Sequence, residues 1–261
     1  MKISIIGFGN MAKAIAQALS QNATYQLFAT APSLPIGVNS QGIFTHFDNL
    51  TMLPNSDILF LAVKPSVMSH ILMEISQNIP EKCIVISVAA GLKLDWLSNR
   101  LNTNTPIVRA MPNIAAEIGQ SATPLIANEF VNHEQKRVVD ALFSSLGITN
   151  WITKESEIDA YTALSGSGPA YVFLFMESLI KGAISLGLSK EIATSFALQT
   201  VFGAVSMAKS TTTCLSDLRK QVTSPAGTTA AAINVLQSQK IDQIIEAAMI
   251  AAYERSKQLS Q

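Results

Sequence analysis

The feature that most constrains the fold is a glycine turn close to the start of the sequence. An apolar run at residues 3–6 leads into Gly7-Phe8-Gly9-Asn10-Met11-Ala12, and helical spacing follows over residues 11–20. This is the Gly-x-Gly-x-x-Gly/Ala pattern in the strand–turn–helix context that a dinucleotide site requires. The first glycine permits the tight turn, the second lets a pyrophosphate approach the backbone, and the alanine keeps the helix near the sheet. The sequence therefore predicts dinucleotide binding here, with an ordinary strand–helix turn as the alternative.

Short β-type runs alternate with helical ones through the first half of the chain. Further strands are predicted at residues 25–30, 58–63, 84–88, 106–109 and 121–126. This alternation indicates βαβ units and a mostly parallel sheet. After residue 156 the apolar spacing is helical, over residues 156–186, 190–209, 214–221, 228–237 and 241–259. We therefore expect an α/β Rossmann-type domain over residues 1–152 and an all-α domain over residues 153–261.

Composition narrows the classes of partner. Of the 261 residues 48% are hydrophobic and 14% are charged, and the formal net charge is zero. The absence of a basic excess argues against nucleic acid as a partner. The helical half is apolar on all faces, which predicts burial against a second copy of the chain.

Cysteine and histidine usage bears on compartment and metal. Cys83 and Cys214 lack a partner motif, which favours a reducing, cytoplasmic setting. The three histidines have no carboxylate or cysteine at ligand spacing, so we expect no metal site. We also expect no signal peptide before the glycine turn, and no apolar run long enough to span a membrane.

The end of the second predicted strand bears on the choice of dinucleotide. An NAD site places an acidic residue there for the ribose 2′-hydroxyl. Here the stretch is Phe28-Ala29-Thr30-Ala31-Pro32-Ser33, which contains hydroxyls and neither an acid nor an arginine. Because hydroxyls can hydrogen-bond a 2′-phosphate, we predict NADPH, with NADH as the alternative. Thr30 and Ser33 as plain turn residues remain a competing interpretation.

A second candidate anion site lies late in the chain, at Val222-Thr223-Ser224-Pro225-Ala226-Gly227-Thr228-Thr229. Hydroxyls, a proline and a glycine before an alanine-rich helical pattern are typical of a helix N-terminus, where free N–H groups and the helix dipole favour an anion. With phosphates assigned to the first turn, this site suits a carboxylate. Thr228 and Thr229 as mere helix caps remain the alternative.

Five stretches in sequence order resemble pyrroline-5-carboxylate reductases, and the resemblance covers essentially the whole chain. They are residues 7–12, Leu61-Ala62-Val63-Lys64-Pro65, Arg109-Ala110-Met111-Pro112-Asn113, Leu164-Ser165-Gly166-Ser167-Gly168-Pro169-Ala170-Tyr171, and residues 222–229. The resemblance implies a Rossmann domain followed by a helical dimerisation domain. It implies reduction of 1-pyrroline-5-carboxylate, a cyclic imino acid, to L-proline by NADPH or NADH, the last step of proline biosynthesis. It also implies a homodimer, which in larger members assembles into a decamer of five dimers.

The resemblance also implies site residues. Cofactor contacts fall on Gly7, Phe8, Gly9, Asn10, Met11, Ala12, Thr30, Pro32, Asn49, Val63, Lys64 and Ala90. Substrate contacts fall on Glu155, Ser165, Gly227, Thr228 and Thr229. We predict that the hydroxyl of Thr229 is the catalytic group, bonded to the ring nitrogen. Alternative roles remain for several of these residues: Lys64 as a solvated loop lysine, Glu155 as a solvated helix-start acid, and the Ser165 motif as a packing device with a kink at Pro169.

The chain departs from the family pattern at three places. Many members have Asn-Thr-Pro where this chain has Asn113-Ile114-Ala115, and often an asparagine at Gln221. A Gly-Gly pair is usual where this chain has Ala226-Gly227. Because alanine is strained in the left-handed region, we expect Ala226 to be extended or helical.

Two other functions remain open at this point. A β-hydroxyacid dehydrogenase shares the two-domain plan and would use a lysine such as Lys181. A non-catalytic NADP-binding regulatory protein descended from the reductases is the other possibility.

Overall fold

The computed structural model describes residues 1–259. Contacts divide the chain into two compact units. The first contains Met1–Pro169 and the described part of Ala251–Gln261, and the second contains Ala170–Ile250.

A nine-stranded sheet forms the centre of the first unit. Its strands are β1 Lys2–Ile6, β2 Gln26–Thr30, β3 Gly37–Val38, β4 Phe44–His46, β5 Ile58–Leu61, β6 Ile84–Ser87, β7 Ile107–Ala110, β8 Ser121–Ala127 and β9 Gly147–Trp151. Their order across the sheet is β3-β4-β2-β1-β5-β6-β7-β8-β9. The β3–β4 and β7–β8 pairs are antiparallel and the other described pairs are parallel, which confirms a mostly parallel sheet.

The described α-helices number eleven, and those after β9 follow one another without a further described strand. They are α1 Asn10–Leu19, α2 Asn49–Met52, α3 Pro65–Ile75, α4 Leu94–Ser98, α5 His133–Ser144, α6 Glu157–Tyr161, α7 Gly168–Ser185, α8 Lys190–Lys209, α9 Leu215–Gln221, α10 Thr228–Ser238 and α11 Ile241–Leu259. The predicted α/β domain followed by helices is therefore confirmed.

Alternating side chains bury both faces of the sheet, as parallel strands covered by helices require. On one face, Ile3, Ile5 and Phe60 pack with α1 and α5, and the Phe60 ring lies 6.1 Å from that of Phe143. On the other face, Leu59 and Leu61 pack with α3 and α4. This two-sided burial holds the strand ends, and the loops that follow them, in fixed positions.

The predicted domain boundary at 152/153 stays a prediction. The last strand ends at Trp151, close to that boundary, whereas the first compact unit continues to Pro169 and also takes in the end of α11.

The second unit buries little of its own apolar surface. Among its described residues, only Ala193 and Ala197 are buried. Phe173, Phe196 and Phe202 are 53%, 65% and 67% exposed. Exposed apolar surface of this extent marks an interaction site.

The expectation that no segment could span a membrane was wrong on length and composition. The helical segment Glu157–Ser185 has 29 residues, and its most apolar part has a mean hydropathy of 1.2, so it is long and apolar enough to cross a membrane. Core helices of soluble proteins share this length and composition.

Candidate cofactor and substrate sites

The glycine turn between β1 and α1 has the geometry of an anion site. Gly7 has φ +91°, and a Cβ there would lie 2.7 Å from the Ala62 carbonyl oxygen, so a side chain is excluded. Gly9 is the N-cap of α1, and no heavy atom lies within 4 Å of where its Cβ would be. No side chain caps α1 and no acid lies in its first turn. Free N–H groups beside open space suit the pyrophosphate of a dinucleotide.

The other residues of this turn hold it against the core. Ala12 is fully buried, and Phe8 and Met11 are half-buried against the same core cluster. Asn10, the first residue of α1, is exposed. The six predicted cofactor residues of the turn thus form one continuous segment at the carboxyl end of β1.

Two predicted cofactor residues meet at the end of β2. The Thr30 hydroxyl donates to Asn49 Oδ1 at 2.7 Å, and Asn49 Nδ2 donates to a Glu74 carboxylate oxygen at 3.2 Å. Thr30 is 1% exposed, whereas Pro32, in the following loop, is exposed. The structure therefore brings Thr30 and Asn49 together although they are far apart in sequence.

The remaining predicted cofactor residues follow β5 and β6. Val63 is half-buried against the core, and Lys64 is an exposed N-cap of α3, directly before Pro65. Ala90 is half-buried in the loop after β6. In an open α/β sheet the loops after parallel strands line the ligand crevice, so these positions fit a dinucleotide.

Glu155 is the partner of a buried arginine. Arg109 Nη1 lies 2.7 Å from Glu155 Oε1, and the backbone N–H of Leu94 donates to the same oxygen at 2.9 Å. Arg109 is 3% exposed, and its buried Nε has no hydrogen-bond partner. The pair ties the end of β7 to the start of α4 and to the segment before α6. Glu155 is therefore not the solvated acid of the alternative interpretation.

Sequence reasoning did not assign Arg109 a role. The only signal in the sequence was a charged residue inside the apolar run Pro106-Ile107-Val108-Arg109-Ala110. A buried charge requires a partner, and that rule would have flagged Arg109 without naming Glu155.

Ser165 lies in a π-helical turn, Thr162–Gly166, between α6 and α7. In a regular α-helix its carbonyl would accept from the N–H of residue 169, but Pro169 has no N–H. Asn113 Nδ2 donates to that carbonyl instead, at 2.8 Å. The packing alternative for the Ser165 motif expected a kink at Pro169, whereas the structure has a π turn just before it, a feature frequent at functional sites.

The prediction for Ala226 was wrong: its φ is +59°. The Gly227 N–H donates to the Ser224 carbonyl at 3.1 Å, which closes a four-residue turn with Pro225 and Ala226 at its centre. Proline second and a positive φ third are typical of a type II turn, where glycine is the usual third residue. The turn geometry therefore prevails over the preference of alanine for a negative φ.

The turn delivers the chain to the uncapped start of α10. Gly227 is the N-cap, no side chain makes a cap hydrogen bond, and no acid lies in the first turn. A Cβ on Gly227 would collide with the Ser224 hydroxyl oxygen. Thr228 is exposed and Thr229 half-buried. The helix-cap alternative for these threonines gains no support, because the first-turn N–H groups receive no side-chain cap.

The predicted substrate residues belong to both compact units. Glu155 and Ser165 lie in the first, and Gly227, Thr228 and Thr229 lie in the second. Across residues 1–259 there is no group of three or more His, Cys, Asp or Glu side chains placed to hold a metal ion.

Comparison with known proteins gives matches along the whole chain. Residues 155–259 match the pyrroline-5-carboxylate reductase dimerisation family, and residues 2–91 match the family described as coenzyme F420-dependent NADP oxidoreductase. The dimerisation match supports homo-oligomeric assembly. A pyrroline-5-carboxylate reductase of Pseudomonas aeruginosa is 36% identical over 265 residues, covering 100% of this chain and 97% of that protein.

Two solved structures are also similar. That of a pyrroline-5-carboxylate reductase from Coxiella burnetii has a TM-score of 0.90 and 38% identity, covering 99% of this chain and 98% of its own. That of Plasmodium falciparum pyrroline carboxylate reductase with NADP bound has a TM-score of 0.91 and 31% identity, covering 100% and 98%. With the glycine turn, the π turn and the uncapped α10 in place, the chain belongs to the pyrroline-5-carboxylate reductase family.

Proposed function

We propose that this chain is an NADPH-dependent oxidoreductase that reduces 1-pyrroline-5-carboxylate to L-proline, the last step of proline biosynthesis. The observation that carries the proposal is the uncapped N-terminus of α10 behind the Ser224–Gly227 turn, in a chain similar over its full length to pyrroline-5-carboxylate reductases. Members named for this activity include the enzymes of Pseudomonas aeruginosa and Methanosarcina acetivorans.

The protein's task is to position two ligands. The dinucleotide, when bound, supplies the hydride. Residues 7–12 bind its pyrophosphate through the N–H groups at the start of α1, and Thr30 and Asn49 lie where a Rossmann fold receives the adenosine ribose. Val63 and Lys64 lie in the loop after β5 and Ala90 in the loop after β6, farther along the same edge of the sheet.

The substrate offers a carboxylate and a ring nitrogen. The carboxylate binds beside Gly227, at the N–H groups of Thr228 and Thr229 in the first turn of α10, and the α10 dipole adds to this attraction. The Thr229 hydroxyl bonds to the ring nitrogen and orients the imine. Its role is positioning and proton relay rather than strong general acid catalysis, because an unperturbed hydroxyl is a poor acid.

Replacing Thr229 by alanine tests this role. We expect Thr229→Ala to lower kcat/KM by about tenfold or more, the value of one hydrogen bond to a charged ring nitrogen, and to leave the Kd of NADPH unchanged. Steady-state kinetics and nucleotide titration measure the two quantities. Thr212→Ala, in the exposed loop before α9, is the control. Wild-type efficiency in Thr229→Ala would reject the catalytic role.

The proposal also includes the oligomeric state and the cellular compartment of the protein. A homodimer is the basic unit, and a decamer of five dimers is its larger form. Two unpaired cysteines support a cytoplasmic setting, and zero net charge supports the absence of a nucleic-acid partner. The match of residues 155–259 to a dimerisation family supports burial of the apolar α7 against protein rather than membrane.

Oxidation of NADPH in the presence of 1-pyrroline-5-carboxylate distinguishes this proposal from its two alternatives. A β-hydroxyacid dehydrogenase would act on a hydroxy acid, and a regulatory protein would bind NADPH without turnover. The dehydrogenase alternative does not account for the turn and uncapped helix at residues 224–229, whereas a regulatory descendant of the reductases would retain them and is distinguished by the lack of turnover.

A further inference from the structure

Polar side chains from three elements meet where β2 ends. Thr30 on β2 pairs in register with His46 on β4. Because side chains alternate along parallel strands in the same phase, the two residues project on the same face of the sheet. Thr30 is bonded to Asn49, the first residue of α2. His46 therefore lies beside the position that receives the adenosine ribose in a Rossmann fold.

This edge of the sheet is short of positive charge. Residues 26–50, which include β2, β3 and β4, contain no lysine or arginine. Lys2 lies at the opposite, amino end of β1, with its ammonium 4.6 Å from the centre of the Phe28 ring. His46 is thus the one basic side chain of this segment, and a 2′-phosphate needs a strong donor.

The imidazole of His46 is held with one nitrogen available. The backbone N–H of Asp48 donates to His46 Nδ1 at 2.9 Å. A backbone N–H can only donate, so Nδ1 is unprotonated and the proton is on Nε2. The His46 ring stacks on that of Phe47, with centroids 4.6 Å apart, which fixes its plane. Within the described chain no hydrogen bond involves Nε2, so this N–H is free to donate to a ligand.

The nearby carboxylates are engaged by the protein. Asp48 accepts from the Thr51 hydroxyl and from the Leu50 N–H, and these bonds hold its pKa below the ordinary value. Glu74 accepts from Asn49 Nδ2. Neither acid lies at the end of β2, where an NAD-specific site places the carboxylate that binds the ribose 2′-hydroxyl.

We propose that His46 determines the preference for NADPH by donating its Nε2–H to the 2′-phosphate. Thr30 and Asn49, which are hydrogen-bonded to each other, hold the adenosine ribose that carries this phosphate. The inference rests on the proposed function, which uses a nicotinamide cofactor, and it adds the residue that distinguishes the 2′-phosphate of NADPH from the 2′-hydroxyl of NADH.

Nucleotide titration without the imine substrate tests the inference. The Kd values of NADPH and NADH are measured by calorimetry for the wild-type chain, His46→Phe, His46→Gln and the control His133→Phe. His46→Phe keeps a ring against Phe47 and removes the donor, whereas His46→Gln keeps an N–H. His133 is exposed at the start of α5.

We expect the NADPH Kd of His46→Phe to rise about tenfold, the value of one hydrogen bond to a charged group, with NADH affinity unchanged. His46→Gln should bind NADPH more tightly than His46→Phe, and His133→Phe should match the wild type. An unchanged NADPH Kd in His46→Phe, or an equal loss for both nucleotides, would overturn the inference and leave the proposed function standing. Failure of the wild-type chain to bind either nucleotide would overturn both.

Discussion

At the residue scale, Ala226 shows how one methyl group conflicts with its backbone. The turn from Ser224 to Gly227 requires a positive φ at its third position, and Ala226 adopts +59°. For an L-residue with a side chain this conformation costs about 1–2 kcal/mol. The family's usual glycine at this position has a physical reason, and this chain accepts strain next to the proposed carboxylate site.

Ala226→Gly should relieve that strain. We expect the free energy of unfolding to rise by about 1 kcal/mol, since relief of the left-handed conformation exceeds the entropy that glycine adds to the unfolded chain. Urea denaturation at fixed protein concentration measures the change. Ala231→Gly, at an exposed position of α10, is the control and should lose about 1 kcal/mol. A loss of stability in Ala226→Gly would contradict the strain.

The Arg109–Glu155 ion pair is shorter and far less exposed to solvent than the other described ion pairs. Arg109→Met should lower the free energy of unfolding by about 3 kcal/mol, because it leaves Glu155 without its charged partner. The Lys220–Asp217 pair is 74% and 52% exposed, so Lys220→Met should cost less than about 1 kcal/mol. Chemical denaturation of both variants compares them, and equal losses would disprove the structural role of the buried pair.

The sequence pointed to Glu155 only through the family resemblance, and it marked Arg109 only as a charge within an apolar run, with no role and no partner. Their contact joins residues 46 positions apart, on different elements, and no local pattern carries that information. The same holds for Thr30 with Asn49 and for Asn113 with Ser165. Such pairings depend on tertiary packing, which periodicity does not describe.

At the element scale, the π turn at Thr162–Gly166 is the segment where the chain most departs from regular helix. Pro169 removes the donor that the Ser165 carbonyl needs, and Asn113 replaces it from the loop after β7. Asn113 Oδ1 also accepts from the Ala115 N–H, so one side chain supports two backbone groups. The side chain of Asn113 therefore holds this loop and the π turn together.

Asn113→Ala should destabilise the chain by about 2 kcal/mol, because a partly buried carbonyl and a partly buried backbone N–H lose their partner. Asn150→Ala is the matched control: Asn150 is exposed on β9, and its Nδ2 donates to the Tyr161 hydroxyl. Its loss should stay below about 1 kcal/mol, because water replaces the bond. Thermal denaturation of the two variants gives the comparison, and the prediction is refuted if Asn113→Ala is no less stable than Asn150→Ala.

The predicted strands and the helices α1, α9 and α10 agree with the structure to within a few residues, and α8 and α11 agree to the residue, whereas no bounds were predicted for α2 to α5. Strands β3, β4 and β9 were not predicted. β3 and β4 have two and three residues, too few to show a period, and β9 (Gly147-Ile148-Thr149-Asn150-Trp151) lies at the sheet edge with no buried residue. An edge strand buries less and therefore carries a weaker pattern.

At the scale of the whole molecule, the second compact unit exposes more apolar surface than a monomer in water would leave uncovered. Its described residues bury only Ala193 and Ala197, while Leu174 on α7 and Phe196 and Phe202 on α8 are 63%, 65% and 67% exposed. Burying such surface contributes about 25 cal/mol per Å². A second copy is the partner that the dimerisation-family match supports.

Mass photometry should show a dimer or larger assembly at micromolar concentration. Phe196→Glu, which places a charge on an exposed apolar position of α8, should shift the distribution toward monomer. Lys190→Glu, at the exposed start of the same helix, should leave it unchanged. A monomeric wild-type chain would contradict the interface, as would an unaltered assembly in Phe196→Glu.

The proposed reduction itself is tested most directly by product formation. The purified chain is mixed with 1-pyrroline-5-carboxylate and NADPH, and both the loss of NADPH absorbance and the L-proline formed are measured. We expect turnover well above background, with one L-proline formed for each NADPH oxidised. No turnover with either NADPH or NADH, or NADPH oxidation without L-proline, would contradict it.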